Sequence, residues 1–433
     1  MTDAFLAASV LGITVSLSLA KPRLRGFRFD HAAAAVLGAL LVGFLGLVTP
    51  AQIGAALASL AEPIATIVSL MVVTLVAERA GVFQVVAAWL VRAAGGDCRQ
   101  LLALLFFVGA GVGMVFTNDA AILIFTPLVV RLVAEISDET WTDAQKMPFY
   151  FAVLYVANLV GALVISNPIN IVVASLFDIG FVTYAAWMLL PALGALAATY
   201  LGLLWAFGRD LPKKYRIPAE GSAPRPAARA AGGCLVALLV AFFAANAIGL
   251  PIWAVAAAGA AAMLVGFGLA GVARPTAVLR GVGWDAVVFL AGIFVVATAV
   301  RQVGLTARIG EGLAASAGGD PAWLLAATSF TAAGLSAVLN NHPTAGLMAL
   351  AIKDMAVPEG LRAALAYAAL IGGDLGPKML PIGSLAALLW VRMLHDRGVR
   401  VSYRLMVKVG VPITLFAVAV ATLALIAEYR LQS

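Results

Sequence analysis

Charge is what this chain has least of. Only 11% of its 433 residues are Asp, Glu, Lys or Arg, less than half the roughly 25% of an ordinary soluble domain. Cysteine is almost absent as well. Cys98 and Cys234 stand far apart in the sequence, which excludes a disulfide framework, a CxxC pair and a three-thiolate metal site. Histidine is limited to His31, His342 and His395. With no HExxH or GxSxG pattern, a membrane-embedded enzyme would lack its nucleophile-base pair or metal cluster, so no catalytic residue, metal ligand or cofactor site is expected.

What is present is apolar surface. Hydrophobic residues make up 63% of the chain, in runs that approach or span the ~30 Å hydrocarbon core from end to end. The expectation is an all-α polytopic membrane protein with no separate soluble domain. The first run, residues 4 to 20, is preceded by Asp3 and by no Lys or Arg, the wrong flank for a cleaved signal, and reads as a retained helix. The net charge of +7 is no nucleic-acid footprint. The basic residues collect in short segments, 21 to 28, 208 to 229 and 395 to 408, which the positive-inside rule places in the cytoplasm. Residues 49 to 63 and 178 to 181 hold no Lys or Arg and should face outward.

The chain also repeats itself. At a constant offset of 223, residues 80 to 119 lie on 303 to 342 without a gap, with 14 identities in the 38 positions from Gly81 to Asn118. Gly95-Gly96-Asp97 falls on Gly318-Gly319-Asp320, and Asn118 on Asn341. Each copy carries a polar interruption, "TND" (117 to 119) and "NNHPT" (340 to 344), between two apolar arms of ~17 residues, about 25 Å each at helical rise. Each is expected to be the tip of a re-entrant hairpin, 100 to 136 and 322 to 356.

Two further crossings are interrupted. In 148 to 178, "SNPIN" (166 to 170) opens the helix, because Pro168 removes a donor and pushes Asn167 out of helical geometry. In 361 to 394, "GGDLGPKMLPIGS" (372 to 384) sets two prolines, four glycines, Asp374 and Lys378 in an apolar crossing. Backbone of this kind is tolerated at membrane depth only where protein or an aqueous cavity surrounds it. Counting crossings gives about ten spanning helices, two of them broken, with both termini outside and an odd number between the copies. The expected organisation is a first repeat 1 to 207, a basic cytoplasmic linker 208 to 231 and an inverted second repeat 232 to 433. Inverted repeats with paired interruptions near the midplane mark secondary transporters.

The polar side chains divide by chemistry. Asn118, Asn167, Asn170, Asn341 and Thr344 can donate and accept at once, with Thr117 and Asn340 beside them. Gly383 and Ser384 begin the second half-helix, whose amides would face a bound oxygen. Asp119 is the only carboxylate at either tip: it can cycle a proton or simply cap a half-helix. Asp374 and Lys378 can neutralise each other or take part in proton coupling. His342 can titrate or hydrogen-bond locally. "GAGVGM" (109 to 114) reads as close helix packing, and Glu78-Arg79 and Asp285 as interfacial anchors.

"GGDLGPKMLPIGSLAALLW" (372 to 390), "TNDAAILIFTPLV" (117 to 129) and "NNHPT" (340 to 344) closely resemble the bacterial arsenite efflux permeases of the ion-transporter superfamily. The resemblance covers nearly the whole chain. It implies export of arsenite, and often antimonite, across the inner membrane against proton entry, with two hairpins and two broken helices meeting at the substrate and moving elevator-fashion. By the same likeness the site holds Asn118 and Asp119, Asn167 and Asn170, Asn341 and Thr344, and Asp374 through Ser384. A homodimer and a cytoplasmic ATPase subunit are possible partners at that level. A sodium/proton antiporter or small-anion carrier of the superfamily is the alternative.

Overall fold

The structure, a computed structural model, describes residues 2–24, 27–116, 118–137, 140–157, 159–217 and 226–432, with the backbone alone at 23–24, 27–28, 118–121, 123 and 385. The first half runs α1 (Thr2–Ala20), α2 (His31–Phe44), α3 (Pro50–Ser59), α4 (Ala61–Ala80), α5 (Val82–Ala93), α6 (Cys98–Val115), α7 (Asn118–Ile136), α8 (Asp143–Val156), α9 (Pro168–Leu176) and α10 (Phe181–Phe207). The second runs α11 (Pro226–Ala247), α12 (Ile252–Leu269), α13 (Pro275–Gly281), α14 (Trp284–Gln302), α15 (Leu305–Ala317), α16 (Pro321–Leu339), α17 (Asn341–Lys353), α18 (Glu359–Leu375), α19 (Leu385–His395) and α20 (Tyr403–Gln432). A two-residue antiparallel pair, Arg23–Leu24 with Phe27–Arg28, turns the chain between α1 and α2.

Nine helices among the described residues are long and apolar enough to cross a membrane. They include α6 and α16, the first arms of the two hairpins, whereas α2 falls short at 14 residues. The interrupted crossings are resolved as expected into α8 and α9, and into α18 and α19. Helix α11 begins at Pro226, inside the stretch assigned to the linker.

Local chemistry explains why the repeat survives where it does. Gly95 and Gly96 have φ of 58° and 84°, and Gly318 and Gly319 have 57° and 87°, a left-handed turn that glycine adopts without strain. The aspartate that follows caps the next helix: Asp97 accepts from the Gln100 amide and Asp320 from the Ala322 amide. Gly81 and Gly304, also equivalent and also left-handed, cap the start of α5 and α15. The shared GGD is therefore a turn-and-cap device. The linker docks on its first copy, where the Tyr215 amide donates to the Gly96 carbonyl at 2.9 Å and the Tyr215 hydroxyl to the Val91 carbonyl.

Packing exchanges partners between the halves. Helix α2 lies along α14 while its counterpart α12 lies along α4; α6 meets α8 as α16 meets α18; α7 meets α19 as α17 meets α9; α10 and α20 pack on each other. Between helices in lipid, close approach of small residues replaces a hydrophobic driving force. A Cβ on Gly292 would lie 2.8 Å from the Ala35 backbone, and Gly109 and Gly113 rest on Val156, the packing expected of "GAGVGM". Cβ atoms on Gly372 and Gly376 would run into the Ser329 and Ala333 carbonyls of α16. Gly376→Val should therefore separate α16 from α18 and reduce the folded fraction severalfold, read by size-exclusion chromatography in detergent against the same change at Gly232, where a Cβ meets nothing.

Candidate transport site

The first break starts after α8. A 3-10 turn at Val164–Ser166 leads to Asn167 in extended conformation, φ −145°, and Pro168 opens α9 at its first position. Pro168 suits that place because the first helical amides have no partner in any case. The Asn167 side chain caps the helix by accepting from the Ile169 amide at 3.3 Å, and Asn170 donates to the Ser166 hydroxyl at 3.3 Å. Both asparagines are fully buried.

The second break is shorter than its glycines suggest. Gly372 and Gly373 stay helical within α18, where Gly372 serves packing, and the helix gives way only at the Gly376–Lys378 3-10 turn. Ser384 then caps α19, its hydroxyl accepting from the Ala387 amide at 2.9 Å. Gly383 is obligatory, since a Cβ would press on the Pro377 backbone.

The two breaks meet. Asn167 donates through Nδ2 to Asp374 Oδ1, joining the first half of the chain to the second inside the protein. Asn170 and the Gly161 backbone also face this carboxylate. Asp374 Oδ2 and Asn170 Oδ1 are buried, and neither has a hydrogen bond of good geometry among the described residues. Lys378 feels the charge of Asp374, yet the described residues contain no ion pair within 4.0 Å between them. Its ammonium instead lies 5.5 Å from the centre of the Tyr155 ring, a cation–π contact, with no hydrogen-bond partner. Asp374 and Lys378 thus act on each other without an ion-pair contact, and an asparagine donates to the carboxylate.

At the second tip, Asn340 joins α16 to α17 with φ 80° and ψ 157°, a region that L residues rarely occupy. It holds the turn through two hydrogen bonds and leaves one donor over. Its side-chain oxygen accepts from the His342 amide at 3.3 Å, its carbonyl accepts from the Thr344 hydroxyl at 2.9 Å, and its buried Nδ2 has no partner in the protein. His342 Nδ1 pairs with Asn341 Oδ1 at 2.8 Å, and its ring meets Phe289 edge-on at 5.6 Å. At the first tip α7 starts at Asn118, the equivalent of the first residue of α17; the side chains of Asn118 and Asp119, and all of Thr117, lie outside the described residues. Among the described residues no three His, Cys, Asp or Glu side chains group as a metal site.

A sequence model of the family described as "Arsenical pump membrane protein" matches residues 6–429. The chain belongs to the arsenical pump membrane protein family. The arsenical pump membrane proteins of Escherichia coli K12 and Yersinia enterocolitica are 31% and 33% identical to it, over 98% and 97% of this chain and 100% and 98% of theirs. Among solved structures, the Alcanivorax borkumensis YdaH transporter aligns with a TM-score of 0.58 over 98% of this chain and 96% of that one, at 15% identity. Neisseria gonorrhoeae MtrF, described with a class of antimetabolite efflux pumps, gives 0.58 over 98% and 94% at 12% identity. The shared fold is that of membrane transporters.

In this arsenical pump family member, Tyr155 and Ser336 join the site's surroundings without a motif to announce them. Ser336 donates to the Gly373 carbonyl at 2.8 Å and ties the second hairpin to the broken helix; each sits in a run that reads as plain apolar helix. Removing the donor to a buried carboxylate costs about 1–3 kcal/mol. Asn167→Leu should accordingly lower the melting temperature in detergent, and adding Asp374→Leu should recover part of the loss, since the orphaned carboxylate then disappears too.

Proposed function

We propose that this chain exports arsenite, and antimonite with it, from the cell by proton antiport, the two inverted repeats exposing one site alternately to each face of the inner membrane. The observation that carries it is the set of unpartnered buried atoms around the crossed breaks. Asp374 Oδ2 and Asn170 Oδ1 accept, while Lys378 Nζ donates. A further donor, Asn340 Nδ2, lies at the start of the hairpin arm that packs on both α9 and α18. At neutral pH arsenite is mostly an uncharged trihydroxide, whose hydroxyls donate and accept together and so match a mixed set. Asn341, Thr344, Gly383 and Ser384, with Asn118 from the first tip, complete the shell in this reading.

Competition for one acceptor supplies the coupling. A carboxylate at Asp374 accepts a substrate hydroxyl, whereas the protonated acid turns one of its acceptors into a donor. Protonation therefore weakens the site for a donating substrate hydroxyl, and competition of this kind at an alternating site supports antiport. Asp119 is the second proton candidate, and His342, tied to its own tip, is the third. The hairpins, bound to the broken helices through contacts such as Ser336 to Gly373, move with them against the remaining helices.

Thiolates have no part in this scheme. Cys98 is buried in the first turn of α6 and Cys234 lies on α11, neither at a break or a tip. Cys98→Ser with Cys234→Ser should leave arsenite resistance of a sensitive strain within about twofold of the parent; loss of resistance at normal protein level would remove the oxygen-ligand site. Asp374→Asn and Asp119→Asn, each assayed in everted vesicles, should separate the proton carrier. The true carrier loses acid-driven uptake of arsenite by at least tenfold, while the other keeps it. Growth rescue on sodium and not on arsenite would favour a sodium/proton antiporter instead.

A further inference from the structure

Of the ion pairs among the described residues, Arg131–Glu135 and Arg392–Asp396 are i,i+4 pairs on single helices, and only Arg301–Asp354 joins two elements. Arg301 sits in the last turn of α14, and Asp354 caps the C-terminal end of α17, the second arm of the second hairpin. The contact is bidentate, Nη2 to Oδ1 and Nε to Oδ2 at 2.9 Å, the geometry that makes arginine a directional clasp.

Carried back by the repeat offset of 223, Arg301 falls on Glu78 and Asp354 on Arg131. The register holds on both helices. α4 and α14 are each followed by an equivalent left-handed glycine, Gly81 and Gly304, and α7 and α17 begin at the equivalent Asn118 and Asn341. The same two places thus hold opposite charges in both halves, with the signs exchanged. In the present conformation only one pair is made. Among the described residues Glu78 forms no ion pair, and the charge that acts on it is the adjoining Arg79. Arg131 is largely exposed and turns to Glu135 on its own helix at 2.8 Å. The helices agree: α14 packs along α17, whereas α4 meets α7 over a short stretch of the described residues.

We propose that Arg301–Asp354 and Glu78–Arg131 are alternating clasps, the first holding the second hairpin on α14 in this conformation and the second holding the first hairpin on α4 in the opposite one. The inference rests on the inverted-repeat, alternating-access reading above, by which the clasps lie on opposite membrane faces. A partly exposed pair suits the task, because it biases an equilibrium by a few-fold and can break in every cycle.

The test uses the full chain in lipid nanodiscs, with Cys98→Ser and Cys234→Ser, and spin labels on cysteines at the exposed positions Gln302 and Ala356. Pulsed electron resonance should show a short and a long distance population. Asp354→Asn should lower the short population about twofold to fivefold and Glu78→Gln should raise it by a similar factor. The exchange Arg301→Asp with Asp354→Arg should restore the parent distribution. Two populations that neither single variant moves, or that both move in the same direction, would overturn the clasps alone. A single population insensitive to pH and arsenite would overturn alternating access and the clasps with it.

Discussion

The structure depends on one hydrogen bond between two places where helices fail. A helix end leaves up to four amides or four carbonyls without partners, and in the hydrocarbon core no water replaces them, so each orphan costs several kcal/mol. Neither break could stand alone at that depth. Asn167 and Ser384 cap their own half-helices, which settles the local donors. The remaining capacity of Asn167 is then spent across the molecule on Asp374. The halves of the chain are held together where each is least able to satisfy itself, and a carboxylate is kept in a place that would otherwise reject it.

Around that contact the fold is set by where backbones can approach. The seam between α16 and α18 runs over Gly372 and Gly376, and Ser336 closes it with a hydrogen bond to Gly373. The hairpin arm and the broken helix are therefore joined by close backbone packing and by this hydrogen bond. The exchange of partners between halves, α2 with α14 and α12 with α4, places the rest of each repeat against the other. In the proposed alternating cycle, motion between hairpins and framework would run along a boundary at which Arg301–Asp354 is the cross-element ion pair of the described residues.

Much of this was written in the sequence, for identifiable reasons. Positive φ demands glycine and capping demands a short polar oxygen, so GGD marks the same turn twice. Proline after asparagine forces the first break at Asn167. Other features depend on what comes near in space. Gly372 and Gly373 look like breakers but remain helical; at Gly372 a Cβ would run into the Ser329 carbonyl of α16, which favours its absence. Lys378, four residues from Asp374, has the spacing of an i,i+4 ion pair, yet Asn167 from the other half occupies the carboxylate and Tyr155 receives the ammonium. Only the folded chain brings those residues together. The positive φ of Asn340 was equally hidden, since asparagine at a tip is compatible with several turns.

Under the proposed function, the remaining hydrogen-bond capacity favours one kind among the substrates that the fold alone would allow. A sodium ion calls for oxygen acceptors on every side, and its site would leave acceptors over while donors were consumed elsewhere. A small anion asks for the reverse, donors and positive helix ends. Around the crossed breaks both kinds are left over, Asp374 Oδ2 and Asn170 Oδ1 on one hand and Lys378 Nζ on the other, with Asn340 Nδ2 at the neighbouring tip. Each unpaired buried atom carries a penalty of about 1–3 kcal/mol, so a ligand that satisfies both kinds together gains more here than one that satisfies either. A neutral molecule bearing several hydroxyls meets that condition, because every hydroxyl is donor and acceptor at once.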